Sequence, residues 1–126
     1  MTSEGPSTTS LRAISEALDG GRSPSREEMK VAVKASLARL VEIAPGRAVE
    51  VRVPPFGAVQ VIEGHTHRRG TPSAVVETDP ATWLRLATGS LSWAEAIASG
   101  QLHASGERSD LSSLLPIYGF RGMETI

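Results

Sequence analysis

Residues 78–106, TDPATWLRLATGSLSWAEAIASGQLHASG, decide the fold. They spell two short capped helices and a strand, each closed by glycine. Thr78 or Asp79 is placed to cap the first helix, and Pro80 suits its first turn, where no N–H partner is needed. Gly89 falls where helices commonly end on a left-handed residue. Ser92 with Glu95 makes a capping box, in which two side chains satisfy two orphan backbone N–H groups. Gly100 stops that second helix. Residues 101–105 then alternate polar and apolar, the pattern of a strand with one buried face.

Upstream, Leu11, Ile14 and Leu18 recur at helical spacing before Gly20-Gly21. Ser25 and Glu28 form a further capping box, and Glu27 and Glu28 favour the positive end of the helix dipole. Met29, Val33, Leu37, Leu40 and Val41 then make one apolar stripe, which Pro45-Gly46 ends. Val49, Val51 and Val53 alternate with Glu50 and Arg52, so a half-buried strand is expected there. Pro54-Pro55 breaks it, because proline cannot donate to a ladder. Residues 56–63 read as a second strand, antiparallel to the first across a short break. Residues 64–72 read as a turn-rich basic crossing, 73–77 as a third strand and 101–105 as the fourth. A short helix over 110–115 ends at Pro116. Residues 1–8 read as a disordered tail and 9–126 as one domain. The order predicts an α+β fold: a mainly antiparallel four- or five-stranded sheet covered on one face by helices.

Composition excludes several functions. The 126 residues carry thirteen basic and fourteen acidic side chains, a net charge of −1. Nucleic acid, or an anionic membrane engaged by bulk charge, is therefore not indicated. There is no cysteine, which removes disulfides, thiolate nucleophiles and cysteine-type zinc sites. No stretch approaches the ~18 apolar residues of a membrane span, and MTSEGPSTTS does not read as a secretory signal. A cytoplasmic protein is the plain expectation.

Few constellations carry chemistry. His65 and His67 would share a face on a strand, and Glu63 or His103 could supply a third metal ligand. An exposed turn beside Arg68 and Arg69 is the simpler reading, and no metal is expected. Arg68-Arg69 could meet a phosphate or lipid headgroup, but adjacent arginines are common on solvated loops. Glu107, Arg108 and Asp110 fit capping and surface pairing at a helix start better than acid–base work. The hydroxyls at 109, 112 and 113 lack a nucleophile elbow, and the glycines sit at caps and turns rather than in a phosphate loop. Trp83, one turn before Leu86 and Ala87, reads as core; Trp93 follows the Ser92 cap and reads as partly buried. No cofactor and no catalysis are expected.

The order of Asp79, Trp83, Gly89, Ser92, Gly100, Leu102 to Ala104 and Gly106 resembles the end of the sterol carrier protein type 2 family. A longer run, VRVPPFGAVQVIEG through GTPSAVVETDPATWLRLATG to SGERSDLSSLLPI, is similar to small stand-alone actinobacterial members of the group. The resemblance covers roughly residues 25 to 118. It implies a helix layer standing off the sheet to leave a lipid tunnel, and hence non-catalytic binding of a fatty acyl, acyl-CoA or sterol-like molecule. The expected lining is Met29, Val33, Leu37, Leu40 and Val41 from the helix stripe. Val59, Val61, Val75 and Leu102 would come from strands, with Trp83 and Ile97. The alternative is a protein-interaction or scaffold module of the same fold without ligand; no partner is identified. One departure stands out: tunnel-forming members continue into a longer C-terminal helix, whereas here Pro116 and then IYGFRGMETI follow. Three outcomes are open: Tyr118 and Phe120 plug the cavity, the cavity is open, or it is absent. Aromatics at 4 % of residues give little ring surface to line a sterol-sized one.

Overall fold

The computed structural model describes residues 8–64 and 74–118. His65, His67, Arg68, Arg69, Ser73 and Phe120 lie outside the described residues, as do residues 1–7 of the expected tail. Thr8, the last residue of that tail, already opens a helix.

The chain order is α1 (Thr8–Asp19), α2 (Arg26–Ile43), β1 (Val49–Val53), β2 (Gly57–Val61), β3 (Ala74–Thr78), α3 (Pro80–Thr88), α4 (Trp93–Ala98) and β4 (Leu102–Gly106). A 3-10 turn, Ser112–Leu114, follows. Both capping boxes form: Ser25 Oγ accepts from Glu28 N, and Ser92 Oγ from Glu95 N, with each glutamate reaching back to the cap N–H. Asp79, not Thr78, caps α3. Thr78 remains in β3, and its hydroxyl donates to the Gln101 carbonyl at 2.8 Å.

Among the described residues the sheet is four-stranded and mixed, in the order β2-β1-β3-β4. This corrects the expectation of a mainly antiparallel sheet. β1 pairs antiparallel with β2 and β3 with β4, but β1 and β3 run parallel. Up, down, up is the natural direction sequence of three strands after a hairpin. A third strand laid beside β2 would continue a meander. Laid beside β1 instead, the same strand is parallel to its neighbour. Local pattern sets direction, and the choice of neighbour is tertiary.

Strand alternation then sorts the side chains. Val49, Val51, Val53, Val61, Ala74, Val76 and Leu102 are buried beneath the helices. Glu50, Arg52, Glu77 and His103 lie on the other face, where Arg52 bridges Glu50 at 2.9 Å and Glu77 at 3.9 Å. Such exposed pairs contribute ~0–1 kcal/mol, so the helix-covered face supplies the stability. α2 packs on β2, α3 on α2, and α1 on α3.

A tight turn aims α2 across the sheet. Ile62 N donates to the Ala44 carbonyl at 2.8 Å, and Ala48 N to the Ile62 carbonyl at 2.9 Å. These bonds tie the end of α2 to the end of β2. Gly46, at φ 147°, lies in this crossing, and a Cβ there would meet the Ile62 backbone at 2.1 Å. Only glycine permits that approach.

Candidate functional site

The apolar stripe of α2 faces the sheet as the sequence indicates. Val33, Leu37 and Leu40 are fully buried, and Met29 and Val41 are partly buried at the margin. Ala32 and Ser36 complete the buried face. Val61 from β2 is buried beneath α2 and Val59 is partly so, whereas Leu102, expected in the same lining, is buried at the opposite edge of the sheet, where β4 meets α4.

Trp83 of α3 reaches into this interior and is wholly buried. Its indole Nε1–H donates to Ser36 Oγ at 2.8 Å, and Ser36 in turn donates to the Val33 carbonyl at 2.9 Å. A buried indole needs such an acceptor. Sequence reading missed Ser36, although the signal was present: residue 36 falls on the same face as Val33, Leu37 and Leu40 at helical spacing.

Two further expected lining residues lie elsewhere. Val75 pairs with Glu50 and Ser105 on the opposite face of the sheet, because Ala74, Val76 and Thr78 take the covered one. In Val75-Val76 the alternation could be read in either phase, and the larger flanking pattern decides it only in three dimensions. Ile97, on α4, is 41 % exposed.

The interior itself is filled at its centre. Val33, Leu40, Val61 and Trp83 show no surface that a water molecule could touch, as side chains bordering an open tunnel would. Grooves occur at the surface. One of about 430 Å³ separates α1 from the start of α2, bordered by Ile14, Ala17, Pro24 and Val31. Another, of about 530 Å³, lies around Trp93, Ser112 and Pro116. Tyr118, a candidate plug, is half-buried with its phenol near Arg39 and Glu42, both exposed on α2. Its backbone N–H and that of Ile117 both donate to the Ala87 carbonyl at 2.9 Å, strapping the C-terminal segment onto α3.

The electrostatics are quiet. Among the described residues no group of three or more His, Asp or Glu could hold a metal ion. Asp110 is held below the usual carboxylate range by hydrogen bonds from Ser112, whose backbone N–H donates to it at 2.9 Å. That contact is a local turn bond just ahead of the 3-10 turn, whose own N-cap, Leu111, makes no side-chain cap hydrogen bond, so the capping expected of this carboxylate is not formed.

Residues 25–117 match the family model described as bacterial SCP ortholog. The chain belongs to this sterol carrier protein family. The match begins at the Ser25 cap of α2 and runs past the 3-10 turn, so it takes in the whole described sheet and the α2 interface. α1 lies outside it. The family member matches no curated protein. Among its described residues no helix is long and apolar enough to cross a membrane.

Proposed function

We propose that this family member binds a lipid-like apolar molecule, without acting on it chemically, between α2 and the sheet. The observation that carries the reading is the facing of two apolar surfaces in a sterol carrier protein chain. Val33, Leu37 and Leu40 face β2 with its Val61, and all four are buried. An acyl chain placed there contributes up to ~0.8 kcal/mol per buried CH₂, so a moderate buried length suffices for micromolar binding. Because the centre is filled in this conformation, a ligand must displace Trp83 or part α2 from the sheet. A fatty acyl, acyl-CoA or sterol-like molecule fits this chemistry.

The filled centre supports a second reading, a protein-interaction or scaffold module without ligand. Titration separates the two. Trp93→Phe leaves Trp83 as the sole tryptophan, because the chain holds two. A fluorescent fatty acid should then bind at micromolar concentration and change Trp83 emission. Leu37→Trp should abolish that binding. It should also cost about 1–3 kcal/mol of stability, because it overpacks a filled space. No binding to the Trp93→Phe protein or to the unmodified chain would sink the carrier reading and leave the scaffold. Binding that survives Leu37→Trp would move the ligand away from this interface.

A further inference from the structure

The described sheet ends at β4, which pairs with β3 on one side only. Ala104, Ser105 and Gly106 close this strand with small side chains, and its sequence LHASG holds neither lysine nor proline. Lysine, proline and inward charges are the usual devices that blunt an edge against further pairing. The β2 side differs: exposed Pro54 and Pro55 precede that strand, and α2 packs against it. A groove of about 660 Å³ follows β4. Glu77 and His103 of the outer face line it, as do Leu102 and Ala104 of the helix face and Ile97 of α4. Val75 and Ser105 line it as well, so the groove runs over the outer face of the paired strands β3 and β4.

We infer that β4 pairs with β4 of a second copy, antiparallel about a two-fold axis at Ala104, joining two four-stranded sheets into one. For both helix layers to stay on one side, outer-face residues must meet outer-face residues across the seam. Centring on Ala104 does this and pairs the whole strand with itself. His103 meets the partner's Ser105, Leu102 meets the partner's Gly106, and Ala104 meets its own counterpart. Just beyond the strand, Gln101 faces the partner's Glu107. No like charges oppose each other, and the small residues admit close backbone approach. Centring on His103 instead would set two imidazoles side by side and leave Gly106 outside the ladder. The seam has only five residues on each side. That is well short of the ~800 Å² per partner of a standard stable interface, so the dimer is weak and concentration-dependent. The inference does not rest on ligand binding, because the β4 edge is separate from the α2 interface.

Sedimentation equilibrium of the full chain over a wide concentration range tests it. The average mass should rise from one chain toward two. Two double variants then test the register. His103→Lys/Ser105→Glu and His103→Lys/Ser105→Lys keep the same new lysine opposite Glu77 of its own chain. They differ in what that lysine meets across the seam. Two attractive pairs become two repulsive ones, so the second variant should dimerise about tenfold more weakly than the first. Both positions are exposed, and circular dichroism melts confirm that each variant folds. A single-chain mass at every concentration overturns the inference. So do equal dissociation constants for the two variants, which would place any dimer on another surface.

Discussion

Ser36 occupies the centre of α2's buried face, where a leucine or valine would bury more apolar surface. It is there because Trp83 brings an N–H into the same interior. Ser36→Ala leaves the volume nearly unchanged and strands that donor, so stability should fall by about 1–3 kcal/mol in urea melts. An unchanged midpoint would mean that the indole has found another acceptor. Tyr118 offers a second readout, because it is the chain's only tyrosine. Burial raises its phenol pKa; Arg39 opposes the rise and Glu42 adds to it. A raised folded-state pKa means that the folded chain holds its proton longer than the unfolded chain. The stability tied to it is fully present below the ordinary tyrosine range, about 10, and is lost as pH rises through that range toward the folded value. Alkaline absorbance titration should give a midpoint above that of the urea-unfolded chain. Tyr118→Phe should flatten the corresponding slope of stability against pH, and coincident folded and unfolded midpoints would refute the burial effect.

Caps and glycines are the best-defined features at the level of elements. The capping boxes at Ser25 and Ser92 and the Asp79 cap each join residues no more than three apart, so short-range sequence contains all the information. The ends of α3 and α4 place Gly89 and Gly100 at φ 87° and 79°. Both should resist alanine through the left-handed penalty, roughly 1–2 kcal/mol. They should not resist it equally. A methyl group at 100 meets nothing within 4 Å, whereas at 89 it meets the Pro116 ring at 3.3 Å. Gly89→Ala should therefore lower the urea midpoint more than Gly100→Ala, and equal losses would show that the Pro116 ring yields freely. Elsewhere local reading failed for a stated reason. The helix expected over 110–115 is a three-residue 3-10 turn, Ser112–Leu114. Leu111 at its N-cap makes no side-chain cap hydrogen bond, and the Ile117 and Tyr118 N–H groups are drawn onto the Ala87 carbonyl instead of continuing a helix. The Val75 error has the opposite origin, a run of like residues that carries no phase.

On the scale of the whole molecule, α1 is an addition to the family's matched span that is fastened in place by specific contacts. Leu11 and Ile14 are buried. Thr88 donates to the Leu84 carbonyl, which leaves Ser15 to donate to Thr88 Oγ1 at 2.8 Å. Asp19 pairs with Arg85 at 3.2 Å. Burying two large aliphatic side chains is worth about 1.5–3 kcal/mol each, a sizeable part of the ~5–15 kcal/mol typical of a domain. Deleting residues 1–22 should lower the unfolding free energy by roughly 3–6 kcal/mol, and a truncated chain that melts like the parent would show that α1 is a passive appendage. By itself the sequence determined α2, α3 and α4, the Ser25 and Ser92 capping boxes and which face of α2 is apolar, because each depends on residues within a few positions of one another. Tertiary structure alone decided that β3 lies beside β1, that Val75 faces outward, and that Trp83 fills the interior against Ser36. These depend on which surfaces meet across long stretches of chain. An apolar stripe has the same spacing whether it borders a packed core or a tunnel, so only the packing of side chains from other elements could show that this interior is filled at its centre.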